Sequence, residues 1–433
     1  MTSSARQLRA WSGPAILSHG FRPFFLGAAL WAALSMALWI PLLSGQLRLP
    51  TAFDPVTWHA HEALFGYLGA VVAGFLLTAV PNWTGRPPLV GRALLGLFAL
   101  WLLGRVAVAV SGLLPAWAVA LADLAFLTAL AAVVLREILA GKNWRNLIVL
   151  LLLGALLAGN ALFHWEAARQ GGYAASGLGL RLGLAAAVLM IAVIGGRIVP
   201  AFTRSWLAQR GGTDSSADRG ATGGLPAPFG PLDKIALLAS LLALLSWVAA
   251  PAWPGSGLAL LAAGLALALR LARWQGLRTG AEPLVWSLHL GYAFLPLGML
   301  ALGAAILWPG LLTTIAAQHL WMAGAIGTMT LAVMTRATLG HSGRALTADA
   351  ATAALYLLVV AAALARLLGG LLLGGLLPGP AAHWAFPLYS LSAALWCAAF
   401  AGFVLRYGPL LLGPRESGGG ETQGGAGREA GRR

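Results

Sequence analysis

The sequence predicts an all-α protein that lies within a membrane, and three observations carry that prediction. Of 433 residues, 59% are apolar and only 9% are charged, whereas soluble domains carry about 25% charged residues. Mean hydropathy is +0.81. The apolar residues come in runs of roughly 20, the length a helix needs to cross a hydrocarbon core of about 30 Å. Helices satisfy their own backbone hydrogen bonds there, so runs of this length are read as helical spans.

Twelve spans are expected. The first six lie at 24–43, 59–80, 93–112, 115–136, 146–166 and 178–200, and the second six at 232–250, 256–275, 285–307, 314–336, 348–372 and 384–406. The basic residues sort by alternate connections. Arg6, Arg9 and Arg22 precede the first span, Arg86 and Arg92 follow the second, and Arg136, Lys142 and Arg145 follow the fourth. Arg197, Arg204, Arg210, Arg219 and Lys234 surround the connection after the sixth. Arg270, Arg273 and Arg278 follow the eighth, Arg336 and Arg344 end the tenth, and five more run from Arg406 to Arg433. The opposite connections hold Arg48 and Arg169, with Arg181 near a helix start. By the positive-inside rule both termini are expected in the cytoplasm.

Residues 1–414 form a single transmembrane domain in this reading. It is interrupted by a flexible cytoplasmic linker at about 209–229, rich in Gly, Ser, Thr, Asp and Pro. The Gly-rich stretch 415–433 is expected to be a disordered cytoplasmic tail. The N-terminus shows no small-residue cleavage pattern ahead of its first span. The net charge of +15 does not point to nucleic acid, because the basic residues punctuate apolar runs and form no patch with interleaved aromatics. The single cysteine, Cys397, excludes a disulfide framework or thiolate cluster within one chain.

An internal repeat is also predicted. The second span ends Val80-Pro81-Asn82-Trp83-Thr84-Gly85-Arg86, and the sixth ends Val199-Pro200-Ala201-Phe202-Thr203-Arg204. The tenth ends Thr335-Arg336 and leads into Leu339-Gly340-His341-Ser342-Gly343-Arg344. Without a gap, His61 aligns with His319, Gly66 with Gly324 and Gly69 with Gly327. The fourth, eighth and twelfth spans finish Leu135-Arg136, Leu269-Arg270 and Leu405-Arg406. These echoes recur every four spans and predict three pseudo-repeats of four helices.

The topology gives each histidine a depth. His59, His61, His164, His319 and His383 fall at the outer face, His289 near the inner end of the ninth span, and His19 and His341 in the cytoplasm. Ionisable groups at membrane depth line cavities, relays or cofactor sites, and neutral imidazole is the commonest metal ligand. A haem with two axial nitrogens needs one histidine from each of two facing helices, a condition that His61 and His319 meet at repeat-equivalent positions. His59 lies about 200° around the helix from His61, so it belongs to another contact. A copper ion, if bound, must draw on His59, His164, His289 or His383. Haem propionates call for cationic partners, best served by guanidinium, and the intramembrane Arg366 and Arg105 answer that need. Arg105 also has a purely structural use, an ion pair with Asp123 across the hairpin of the third and fourth spans. Asn160 and His164 form an i, i+4 pair that marks a second polar site.

The stretches Gly20-Phe21-Arg22-Pro23-Phe24-Phe25, Trp58-His59-Ala60-His61-Glu62, Pro81-Asn82-Trp83-Thr84-Gly85, His289-Leu290-Gly291-Tyr292 and Leu339-Gly340-His341-Ser342-Gly343-Arg344 resemble the bacterial NnrS family. So does the segment from Gly196-Arg197 to Thr203-Arg204. The resemblance covers nearly all of the chain except the linker and tail. It implies a multi-pass protein of the bacterial inner membrane that binds haem and copper and acts in the response to nitric oxide and nitrosative stress in denitrifying and related bacteria. The layout is also similar to the catalytic subunit of haem–copper oxidases, which places low-spin haem ligands on the second and tenth helices. Two departures count against an oxidase-type binuclear centre: Ala317 stands where oxidases carry a second histidine, and the sixth and seventh spans hold no histidine. The expected cofactors are therefore one haem b at His61 and His319, with copper as a separate site. The expected partners are membrane lipid, nitric oxide and a membrane or periplasmic electron donor. The residues leave open three roles: redox or electron-transfer chemistry, secondary transport, and non-catalytic sensing or metal handling.

Overall fold

The computed structural model describes residues 11–169, 173–211, 224–374 and 380–415, and among them every regular element is helical. The long helices are α1 (Phe21–Leu43), α2 (Pro55–Thr84), α3 (Gly91–Ala109) and α4 (Ala116–Ala140). Next come α5 (Leu147–Ala168), α6 (Leu178–Arg210), α7 (Pro231–Ala249), α8 (Pro254–Ala272) and α9 (Pro283–Leu307). α10 joins the segments Thr314–His319, Leu320–Gly327 and Thr328–His341, and α11 (Ala350–Leu373) and α12 (Ala385–Leu412) follow. Eleven of the described helices are long and apolar enough to cross a membrane. α10 is not among them, because Gln318, His319, Thr328, Thr330, Thr335 and Arg336 dilute its apolar residues. Most of the expected linker (212–223) and all but the first residue of the expected tail (416–433) lie outside the described residues.

Local chemistry sets the helix starts. The Asp54 carboxylate accepts from the N–H groups of Val56 and Thr57 at 3.0 and 3.1 Å, with Pro55 opening the helix. Thr313 and Asp349 cap α10 and α11 in the same way, accepting from Ala316 and Thr352 at 3.1 and 2.9 Å. Such side chains satisfy N–H groups that have no partner inside the helix. Proline, which has no N–H to leave unpaired, opens α7, α8 and α9. α2 stops at Gly85, whose φ of +69° suits glycine.

α2, α6 and α10 pack on one another at the centre, while α12 folds back onto α1. Burial follows that arrangement: 83% of the apolar window of α2 is buried, against 33% for α4. Val106, Leu121, Leu242 and Leu265 on the outer helices are exposed, as lipid-facing side chains must be. Each central helix contains a π-helical segment, at Glu62–Tyr67, Ile191–Gly195 and Leu320–Gly327. Close packing of α5 on α6 depends on glycine, since a Cβ on Gly179 would lie 2.7 Å from the carbonyl oxygen of Gly159. At the chain ends, Arg22 donates to the carbonyls of Leu411 and Gly413 at 2.9 and 2.6 Å, satisfying the C-terminal end of α12. Beside it His19 packs edge-on against His341 with ring centroids 5.3 Å apart. Burial, aided by His341 and Arg22, lowers the pKa of His19 to about 3.

Candidate functional site

The end of the bundle away from the basic loops, here called the outer end, carries two sites that share α2. His61 ends the first α-helical turns of α2, and the π segment begins with the next residue, Glu62. Both are fully buried. The two ring nitrogens of His61 are engaged on opposite sides. Nδ1 lies 3.0 Å from Glu62 Oε1, while Nε2 lies 3.1 Å from both Asp123 Oδ2 and Asn160 Oδ1. His164 Nε2 reaches the same Asp123 oxygen at 3.0 Å, and Asn160 Nδ2 donates to it at 2.7 Å. Arg105 donates through Nη1 to Glu62 Oε2 at 2.7 Å and through Nη2 to Asp123 Oδ1. Trp31 Nε1 donates to Glu62 Oε2 at 2.6 Å.

Five helices thus contribute to one polar cluster: α1 gives Trp31, α2 the His61-Glu62 pair, α3 Arg105, α4 Asp123, and α5 Asn160 and His164. Two glycines make room for it. A Cβ on Gly104 would sit 2.7 Å from Asp123 Oδ1, and one on Gly66 would meet Glu62 Oε2 at 2.7 Å. The potential ligand atoms of His61, Asp123 and His164 lie within 4.8 Å of one another. Two imidazoles and a carboxylate around one point form a donor set suited to zinc, copper or iron. The same atoms also satisfy each other as hydrogen bonds, so the cluster is stable as an ion network in its own right.

The second site is a cavity of about 580 Å³ lined by His59, Tyr67, His319, Arg366, Tyr389 and Trp396, among others. His59 is held by stacking on Trp39, with ring centroids 4.2 Å apart. His319 Nδ1 lies 2.7 Å from the carbonyl oxygen of Ile315. A carbonyl can only accept, so Nδ1 carries the proton and Nε2 keeps its lone pair, the arrangement that prepares a histidine for a metal. Arg366 stacks over Tyr389 at 4.2 Å, and its Nε and Nη1 are buried with no hydrogen-bond partner among the described residues.

The side chains therefore pair differently from the sequence expectation. His319 shares its cavity with His59, and His61 is not part of the cavity wall. The gapless alignment of α2 with α10 matches positions along the two helices, but rotation about the helix axis decides which ring faces which neighbour. His59 and His61 point to opposite sides, and His59 faces α10. Arg105 is bound to Glu62 and Asp123, so it has the structural role and does not reach the cavity. His164 joins His61. His289 is bound to the Thr203 hydroxyl at 2.7 Å near the opposite end of α9. His383 is exposed beside Trp384. Sequence reasoning did not assign ligand roles to Asp123, Asn160 or Glu62. The i, i+4 spacing of Asn160 and His164, with an acid in the middle of the neighbouring span, was the available signal.

The family model described as NnrS protein matches residues 15–415. No curated protein matches the chain. With nearly the whole chain matched, the protein belongs to the NnrS family.

Proposed function

We propose that this NnrS-family chain is a multi-pass protein of the bacterial inner membrane, with α10 as its twelfth crossing and both termini in the cytoplasm. In this reading the helices form three pseudo-repeats of four, and the protein serves nitric oxide metabolism or protection from nitrosative stress through a haem b in the outer cavity. The single observation that carries the reading is Arg366, a guanidinium with two buried, unpartnered nitrogens on the wall of a cavity that also holds His319 and His59. Buried guanidinium N–H groups without acceptors are costly, and an anionic group such as a propionate relieves them.

His319 and His59 would hold the iron and Arg366 a propionate, while Tyr67 and Trp396 bound the apolar walls. When bound, the haem supplies one-electron redox chemistry. The protein's own part is to keep His319 Nε2 unprotonated through the Ile315 carbonyl, to seat His59 against Trp39, and to surround the site with apolar walls. The His61–Asp123–His164 group is the candidate for a separate metal ion, copper being the one expected from the family resemblance. The test is the optical spectrum and metal content of the purified protein. A Soret band that disappears in His319→Ala, with metal that disappears in His164→Ala, is the expected result. Wild-type protein without haem, or an unchanged His319→Ala spectrum, overturns the haem reading.

A further inference from the structure

A second cavity, of about 490 Å³, opens at the other end of the bundle between α6, α7 and α8. Its wall includes Arg197, Arg204, Arg270, Asp233 and Trp274. Arg270 is 1% exposed. Its Nε donates to Asp233 Oδ1 at 2.8 Å, and Nη1 donates to the Ala192 carbonyl at 2.9 Å and the Tyr292 hydroxyl at 2.8 Å. Nη2 has no partner among the described residues. A Cβ on Gly196, also on the cavity wall, would collide with Nη2, so the guanidinium packs directly against the backbone of that wall.

The charges in the wall do not balance. Asp233 is the one carboxylate among the described wall residues, and it is already bound by Arg270 and, at 3.5 Å, by Arg273. Among the described residues, Arg197 and Arg204 donate to neutral oxygens, Asn146 Oδ1 at 3.3 Å and the Pro226 carbonyl at 2.8 Å. Three guanidiniums thus line one space with N–H groups to offer and, among the described residues, no free anion. Nη2 of Arg270 could be satisfied by water, but three positive charges lining one space favour an oxyanion, which guanidinium binds through paired N–H groups.

We propose that this cavity binds a phosphate group. It lies where α6 and α8 end and α7 begins, the level of lipid headgroups. Its apolar walls, Leu237 and Phe229 among them, fit the part of a phospholipid beyond its phosphate. The phosphate comes either from an anionic phospholipid or from inorganic phosphate in solution.

The full chain, reconstituted in phosphatidylcholine nanodiscs with and without phosphatidylglycerol, separates these sources. Native mass spectrometry reads retained lipid, and thermal melting with sodium phosphate against sodium chloride at equal ionic strength reads free phosphate. The comparison variant is the double substitution Arg197→Gln and Arg204→Gln, which spares the buried Arg270. One retained phosphatidylglycerol per chain, reduced at least tenfold in the variant, assigns the site to lipid. A rise in melting temperature with millimolar phosphate, absent in the variant, assigns it to the free ion. Wild-type protein that responds to neither probe overturns the proposal, as does a response of equal size in the variant. The single Arg204→Gln variant serves the same comparison where the double variant does not fold.

Discussion

The His61 cluster and the His319 cavity both place imidazole beside guanidinium at the outer end of the bundle, and they differ in where the guanidinium points. Arg105 is held between two carboxylates, Glu62 and Asp123. Arg366 lies over an aromatic ring and leaves two buried nitrogens without partners. Among the described residues Arg105 leaves only Nε without a hydrogen-bond partner, whereas Arg366 leaves both Nε and Nη1 and has no carboxylate bound to it. In the proposed reading the difference separates a charge-balanced cluster from a cavity with unmet donors, with His61 and His59 two residues apart on α2.

Substitutions test that separation, and the largest effect belongs to the closed cluster. Asp123→Ala removes the acceptor shared by His61, Asn160, His164 and Arg105, and breaking a buried ion network of this kind costs about 3–5 kcal/mol. The expected outcome is a large fall in melting temperature or no folded protein; melting like wild type would show that the cluster does not support the fold. His319→Ala should do the reverse, keeping the melting temperature of the haem-free protein while abolishing the haem spectrum.

Arg366→Gln is expected to weaken haem retention about tenfold or more, since hydrogen bonds to charged groups contribute roughly 1.5–3 kcal/mol each. Haem loss to an acceptor protein measures it, and a rate equal to wild type would remove Arg366 from the site. A smaller effect is expected for Trp39→Leu, which removes the stacking partner of His59 and is worth about 0.5–1.5 kcal/mol by analogy with aromatic pairs. Its readout is a shifted haem spectrum with unchanged folding.

The smallest effect lies outside both regions, at His19. Its pKa is about 3 in the folded chain against an ordinary value of 6.5, so the unfolded chain takes up the proton first as pH falls. Its contribution to stability is complete above pH 6.5 and declines between there and about pH 3. His19→Gln should flatten the melting temperature between pH 7 and 4, and identical pH profiles would rule that out.

Much of the fold was readable because membrane spans announce themselves by length and apolarity. The family was readable from its motifs, from Gly20-Phe21-Arg22 to Gly343-Arg344. The ion pair of Arg105 was legible too, because Asp123 lies within the apolar run of the neighbouring span. The partner of His319 was not. Depth follows from counting residues along a helix, whereas facing depends on rotation about the axis. That rotation is altered by π segments, which have no residue signature in this chain. Glu62 was hidden for a related reason, since besides its neighbour His61 it is bound by Trp31 and Arg105, which come from α1 and α3 and meet it only in three dimensions.

The π segments set the orientation of everything on their outer side. Each contains one residue more than a regular α-helical turn would use, and one residue corresponds to about 100° of rotation. Deleting a single residue between Glu62 and Tyr67 would turn the outer end of α2 by that angle relative to its inner two-thirds, carrying His59 and His61 away from their present neighbours together. The division of labour between the two histidines is therefore stored in the phase of the helix, and a one-residue deletion that leaves both of them in place would be enough to erase it.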